Sequence, residues 1–464
     1  SVAGGQDING DNHPDFIVGA IQTDPSGLTN AGSAFAYSGL NGSLLRRFDG
    51  TVADMWFGLQ VAGAGDVDTD GKADILIGAP KAAPGGVTWA GSVYIYSGAT
   101  GSLLFQFDGS TSYGYMGDAV ASAGDINHDN YADIIASERG AGNVFVFSGS
   151  DGTTLHQFSG PFNFGSSVAG VGDVDADGTP DIGVGSPLST PGGLSEAGSA
   201  FIYSGATGAL LHQFDGANAG DWVGVSIAGA GDLNNDGRSD LIVAAMCNWS
   251  NHTGCTPSGA RGYVSVFSGA TGNLLLHFEG EASQDAFGRS VAGPGDMNGD
   301  GIPDIVVGAF HADTGSTLDT GRIYVYSGAD GTELYRMNGL GWYDYLGNSV
   351  SGAGDVNGDG NADAIVASFY ADPSGQSGAG SAYVLSLSSF VVPTLVFPSN
   401  ISPPQTLRPV FDWANIGGAT SYNLQISRND TFTALVLNIN VSPSAYVPTT
   451  DLPRSTTLYW RVRA

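Results

Sequence analysis

The sequence predicts an all-β protein: a seven-bladed β-propeller of four-stranded antiparallel blades, followed by a partial β-sandwich. Three observations carry this expectation. An acidic nine-residue loop recurs seven times, four short strand-like segments accompany each copy, and the repeat stops near residue 392, where Pro-rich sequence begins. Units of four short strands bounded by Gly-rich turns suit a radial array in which neighbouring blades bury one another's faces. The expected domains are therefore residues 1–392 and 393–464.

The loops read Asp7-Ile-Asn9-Gly-Asp11-Asn-His-Pro-Asp15, Asp66-Val-Asp68-Thr-Asp70-Gly-Lys-Ala-Asp74, Asp125-Ile-Asn127-His-Asp129-Asn-Tyr-Ala-Asp133 and Asp173-Val-Asp175-Ala-Asp177-Gly-Thr-Pro-Asp181. The order returns in Asp232, Asn234, Asp236 and Asp240, in Asp296, Asn298, Asp300 and Asp304, and in Asp355, Asn357, Asp359 and Asp363. Successive loops start 59, 59, 48, 59, 64 and 59 residues apart.

The first strand of a unit opens on an aromatic–Gly signal, at Phe57-Gly58, Phe164-Gly165 and Phe287-Gly288. Variants stand at Tyr115-Met-Gly117, Trp222-Val-Gly224 and Tyr345-Leu-Gly347. After the acidic loop the second strand is an apolar run such as Ile75-Leu-Ile-Gly-Ala-Pro80. An alternating third strand, Ser92-Val-Tyr-Ile-Tyr-Ser97, leads through a Gly-Ala-Thr-Gly turn to the fourth, Leu103-Leu-Phe-Gln-Phe107. Length varies in one connection, between the second and third strands. The third unit lacks the insert that residues 81–90 supply in the second, and the fifth carries a longer loop from Cys247 to Cys255. Such loops are where binding contacts evolve. A local disulfide between these two cysteines, the only ones in the chain, is expected.

Carboxylate or amide oxygens at positions one, three and five of a tight loop can converge on one cation. A carbonyl at position seven and the carboxylate at position nine complete the shell. An all-oxygen donor set in a flexible loop selects Ca²⁺ over transition metals, while Mg²⁺ demands stricter geometry. Position six is Gly in five loops and Asn12 or Asn130 in the others, residues that accept the left-handed conformation a sharp turn needs. All 28 residues named in the loops are thus candidate ligands for up to seven structural calcium ions. The loops hold 23 of the 45 acidic residues, and seven Ca²⁺ would bring the formal charge from −30 to −16. No helix pattern flanks the loops and no Glu stands at position twelve, which sets aside an EF-hand.

A charge of −30 argues against a nucleic-acid partner, and 42% apolar residues argue against a disordered acidic chain. No run of 18 apolar residues predicts a membrane span. Nothing reads as a nucleophile elbow, a zinc-protease helix or a phosphate loop. His156, His212 and His277 lie in fourth strands and read as outer-strand polar residues. Tyr37, Tyr96, Phe147, Tyr203, Phe267 and Tyr326, each before Ser-Gly, read as packing between blades. Trp89 and Trp249, in variable loops, are the favoured exposed contact residues.

The aromatic–Gly signal, acidic loop and Gly78-Ala79-Pro80 segment together resemble the FG-GAP repeat of integrin α-subunit propellers and related bacterial surface proteins. Gly19-Ala20, Gly185-Ser186-Pro187 and Gly308-Ala309 are further copies, while the third and fifth units depart there with Ala-Ser-Glu and Ala-Ala-Met. The resemblance covers about residues 1–390. It implies one blade per repeat, calcium in the acidic loops, and a ligand face on the side opposite them. It also implies a ring closed by an N-terminal strand; that strand is expected to be missing here, with part of 390–397 as its substitute. The later segments Pro409-Val-Phe-Asp-Trp413, Tyr422-Asn-Leu-Gln-Ile-Ser427 and Leu458-Tyr-Trp-Arg-Val-Arg463 resemble a truncated fibronectin type III-like module, with Trp413 and Tyr459 or Trp460 as core.

The expectation is therefore a secreted or cell-surface binding module without catalysis, contacting a protein or glycan through its variable loops. The rival is a non-catalytic accessory or structural propeller of a larger secreted enzyme or surface protein.

Overall fold

The computed structural model describes residues 1–246, 261–373, 376, 378–387, 395–397, 408, 410–413, 422–429, 435–442, 445–453 and 458–463. The chain divides into two compact units, Ser1–Leu387 and Ser388–Ala464. Among the described residues no helix is long and apolar enough to cross a membrane.

In the first unit seven antiparallel sheets follow one another, six of four strands and the last of three among the described residues. Each takes its strands in chain order, as in Val61–Gly65, Asp74–Ala79, Ser92–Tyr96 and Leu103–Asp108. The second strands of the middle blades are buried at every residue because neighbouring blades cover both faces. That double burial is why they read as continuous apolar runs, whereas third strands alternate.

Neighbouring blades are joined by two kinds of contact. One is aromatic: the fourth strand of one blade stacks on the third strand of the next. The pairs are Phe48–Tyr96 (4.5 Å), Phe107–Phe147 (4.0 Å), Phe158–Tyr203 (4.3 Å), Phe214–Phe267 (4.1 Å) and Phe278–Tyr326 (4.2 Å). Each pair contributes about 0.5–1.5 kcal/mol beyond the area it buries. Tyr96, Phe147, Tyr203, Phe267 and Tyr326 therefore pack between blades, as expected, whereas Tyr37 stacks within its own blade on Phe16 and Phe35 at 5.8 and 6.3 Å.

The other contact is backbone on backbone. A Cβ on Gly78 would lie 2.1 Å from the Gly117 carbonyl oxygen of the next blade, and Gly185 and Gly308 face Gly224 and Gly347 at 1.9 and 2.0 Å. The Gly of the apolar run and the Gly after the aromatic are thus two halves of one contact. Where the third and fifth units lack the first half, a Cβ on the next blade's Gly165 or Gly288 would instead meet the Cβ atoms of Ser137 and Ala244, at 2.9 and 3.3 Å.

The seventh sheet meets the first. Val2 N–H donates to Ser349 Oγ at 3.1 Å, and Val2, Ala353 and Ile365 share a core with Phe16 and Val18 partly buried beside them. Blade-to-blade packing closes the ring with, among the described residues, three strands in the last sheet. Of the expected substitute 390–397, Leu395–Phe397 instead pairs with Phe411–Trp413 in the second unit, and 390–394 lie outside the described residues.

The second unit holds two three-stranded sheets among its described residues. Phe411, Trp413, Tyr422, Leu424, Ile426 and Val462 are its core, with Trp460 packed against them. Tyr459, the other core candidate, is instead 41% exposed. Strand alternation places Trp460 and Tyr459 on opposite faces, so one of them must point outward.

Candidate metal centres

Each acidic loop joins the first strand of a blade to the second, so all seven lie at one end of the barrel of inner strands. Position six has positive φ in every loop, from 66° at Asn12 to 90° at Gly178 and Gly360. That left-handed residue reverses the chain and turns successive amides inward.

The first Asp gathers those amides. Asp66 Oδ1 accepts from Asp70 N–H (3.1 Å) and Oδ2 from Gly71 N–H (3.0 Å). The same pair of bonds forms at Asp7, Asp125, Asp173, Asp232, Asp296 and Asp355. The fifth Asp accepts from the residue two further on, as Asp70 does from Lys72 N–H (3.0 Å).

The ninth Asp behaves differently, and its sequence position did not reveal why. Asp15, Asp74, Asp133, Asp181, Asp240, Asp304 and Asp363 are all 0–1% exposed. Oδ2 of Asp74 accepts from Val67 N–H at 2.7 Å, and Oδ1 accepts from Gly98 N–H at 2.9 Å in the turn between the third and fourth strands. Five other blades repeat both bonds, through Gly39, Gly149, Gly205, Gly269 and Gly328. This carboxylate therefore fastens the acidic loop to a second turn, whatever else it binds.

The two loops with Asp at position three bring three carboxylates together. Single oxygens of Asp66, Asp68 and Asp74, and of Asp173, Asp175 and Asp177, lie within 4.8 Å of one another. In four of the five loops with Asn there, an amide nitrogen takes part instead: Asn9, Asn127, Asn298 and Asn357 donate to Asp11, Asp129, Asp300 and Asp359 at 3.0–3.1 Å, while Asn234 reaches Asp240 at 3.5 Å. A half-turn of the amide would present oxygen in its place.

Electrostatics point the same way. Burial, reinforced by the other loop carboxylates, pushes Asp74 up to about 7 and Asp181 and Asp304 up to about 6, against the opposing effect of the backbone N–H donors. Asp15, Asp133, Asp240 and Asp363 rise for the same first reason. Clustered acids that resist ionisation, with only oxygen donors around them, fit a hard divalent cation.

Other candidates fall as follows. His156 and His212 bond through Nε2 to the turn carbonyls of Gly205 and Gly269 in the next blade, both at 2.6 Å, so they join blades. His277 sits one register away and faces Ser265 instead, at 3.0 Å, so the three are not one class. Trp89 is 37% exposed, edge-on to Tyr113 at 5.3 Å, with Lys81 Nζ 4.8 Å from its ring and 3.2 Å from that of Trp56. Trp249, Cys247 and Cys255 lie outside the described residues.

Two features escaped the sequence reading. The buried residue before Gly117, Gly224 and Gly347 is Met116, Val223 or Leu346, equivalent to Phe57. Tyr115, Trp222 and Tyr345 instead share the place of Trp56, partly buried at positive φ on the face away from the acidic loops. Aligning the glycines rather than the aromatics would have revealed this. The residue after each Gly, by the same alignment, lines the channel within the inner strands.

The FG-GAP repeat family matches residues 57–96 and 287–326. The chain is 33% identical over 222 residues to integrin alpha-V of Gallus gallus, a match covering 42% of this chain and 20% of that protein. It is 32% identical over 223 residues to integrin alpha-5 of Xenopus laevis, with the same coverages. Integrin alpha-3 of Cricetulus griseus is 33% identical over 197 residues, 38% of this chain and 18% of the relative. The chain spans about a fifth of the length of these relatives.

Proposed function

From the premise that the first unit is an integrin alpha-like β-propeller of FG-GAP repeats, we propose that it is a calcium-stabilised adhesion module outside the cell. It binds a protein or glycan rather than catalysing a reaction. The observation that carries this reading is the sevenfold loop architecture, in which oxygen donors gather at one end of the inner strands while the length-variable connections lie at the other. The four named positions of each loop, 28 residues in all, supply the donors for up to seven Ca²⁺. When bound, the ion supplies positive charge that offsets the crowded carboxylates. The loops' own residues reverse the chain, aim the oxygens inward and tie each loop to the neighbouring turn.

A stiff ring then presents the variable loops, with Trp89 and Lys81 among the groups placed to touch a partner. The test is capture of immobilised matrix proteins and glycans by the full chain in calcium, beside the variants Trp89→Ala with Lys81→Glu and, at the acidic end, Thr69→Arg. Loss on the first and retention on the second is expected. Equal loss on both, or retention on both, would contradict a ligand face opposite the loops.

A further inference from the structure

The inner strands of the first unit enclose a cavity of about 820 Å³. Leu59, Asp118, Ser166, Val225, Arg289 and Asn348, each following the inter-blade Gly, line one layer of it. This layer is remote from the acidic loops: from Arg289 the strand runs on to Gly295, about 20 Å of extended chain.

Charge in this layer is not balanced. Arg139 Nε holds Asp118 Oδ2 at 2.5 Å and its Nη1 reaches Asn163 Oδ1 at 3.0 Å, which settles both members of that pair. Arg289 is left over. Its guanidinium makes no hydrogen bond or ion pair among the described residues, and it lies 5.9 Å from the Phe310 ring centroid, with Asp118 acting only at longer range. Burial pulls its pKa down, yet arginine does not give up its proton in a protein. Arg289 is only partly exposed, and its guanidinium, without a protein partner among the described residues, presents its donors to the cavity, where an anion can meet them. In a chain of formal charge −30 such a group stands out.

Beside it runs a chain of rings that line the same cavity. Phe310 meets His311 at 4.0 Å, His311 meets Tyr345 at 5.3 Å, Tyr345 meets Tyr370 at 6.0 Å, and Tyr370 meets Phe369 at 4.5 Å. His311 is itself held by Asp319 at 2.8 Å, so the collar adds flat apolar surface rather than free charge.

We propose that this cavity is a subsite for a sugar acid, with Arg289 gripping the carboxylate at two points and the aromatic collar receiving the apolar face of the ring. A planar guanidinium fork matches a carboxylate. A neutral sugar has no use for the idle cation, and a bare inorganic anion has none for the collar. An acidic peptide side chain offers the carboxylate but no ring. The inference rests on reading this unit as a ligand-binding module and names the chemistry of one ligand.

The test is calorimetric titration of the full chain, in calcium and at fixed ionic strength, with sodium glucuronate, glucose and N-acetyl-aspartate N-methylamide. Glucuronate is expected to bind, glucose not measurably, and the aspartate derivative more weakly. Arg289→Met should weaken glucuronate by about tenfold or more, with Arg289→Lys between the two because it keeps the charge and loses the fork. Thermal melting of each variant shows whether the ring is intact. Equal binding of glucose, unchanged binding by an intact Arg289→Met, or tighter binding of the aspartate derivative would overturn the assignment. Failure to bind glucuronate while calcium still stabilises the fold would remove this subsite and leave the calcium-stabilised module standing.

Discussion

Asp70 and Asp74 belong to one acidic loop, and the structure predicts that removing them has different consequences. Asp74→Ala deletes the acceptor for two buried amides, Val67 N–H at 2.7 Å and Gly98 N–H at 2.9 Å. Each buried donor left unanswered costs about 1–3 kcal/mol, so the pair costs about 2–6 kcal/mol. Asp70 is exposed and accepts from the exposed Lys72 N–H at 3.0 Å, so Asp70→Ala should cost no more than about 0.5 kcal/mol without metal. Urea unfolding followed by circular dichroism gives both differences from the midpoint and slope. In EDTA, Asp74→Ala should unfold at clearly lower urea and Asp70→Ala beside the parent chain. In calcium both should fall below the parent, because each has lost a donor. If the two variants coincide in EDTA, the ninth Asp is not a fastening residue and the reasoning fails.

Other perturbations follow from the same contacts. Gly78→Val places a side chain where only 2.1 Å separates the Cβ position from the Gly117 carbonyl oxygen; overpacking of this kind costs about 1–3 kcal/mol or more, read as a lower melting temperature, and a variant that melts with the parent would refute the contact. In EDTA, stability should fall as pH rises from about 4 to about 7.5. The folded carboxyls of Asp74, Asp181 and Asp304 hold their protons up to about 6–7 while the unfolded ones release them near 3.9. The folded state therefore binds more protons across that window, and linkage makes stability decline with pH. Melting temperatures measured in EDTA across this range that rise instead would contradict the environment described for these acids. Saturating calcium should remove the decline.

Much of this was legible because a repeat states its own rules several times. The period of the acidic loop marked the units, and Asp, Asn and Gly at fixed offsets marked the turn whose sixth residue has positive φ. What stayed hidden depends on contacts between units. The pairing of Gly78 with Gly117 joins residues of different blades, so neither glycine betrays its partner. The same holds for His156 and Gly205. Counting aromatics placed Tyr115, Trp222 and Tyr345 with Phe57, whereas the buried site belongs to Met116, Val223 and Leu346 because the invariant element is the glycine's backbone. Nothing in the sequence sets Arg289 apart, and only the closed ring places it against the cavity. The destination of Leu395–Phe397 depended on Phe411–Trp413, a partner further along the chain.

The central claim is that the acidic loops are structural calcium sites, and thermal unfolding of the full chain in EDTA and then in millimolar calcium tests it most directly. That concentration suits extracellular sites. At ten times the dissociation constant each occupied site would add about 1.4 kcal/mol, so several sites together should raise the melting temperature by many degrees, with magnesium at the same concentration doing less. A melting temperature that calcium leaves unchanged would mean that the loops are hydrogen-bonded turns and nothing more.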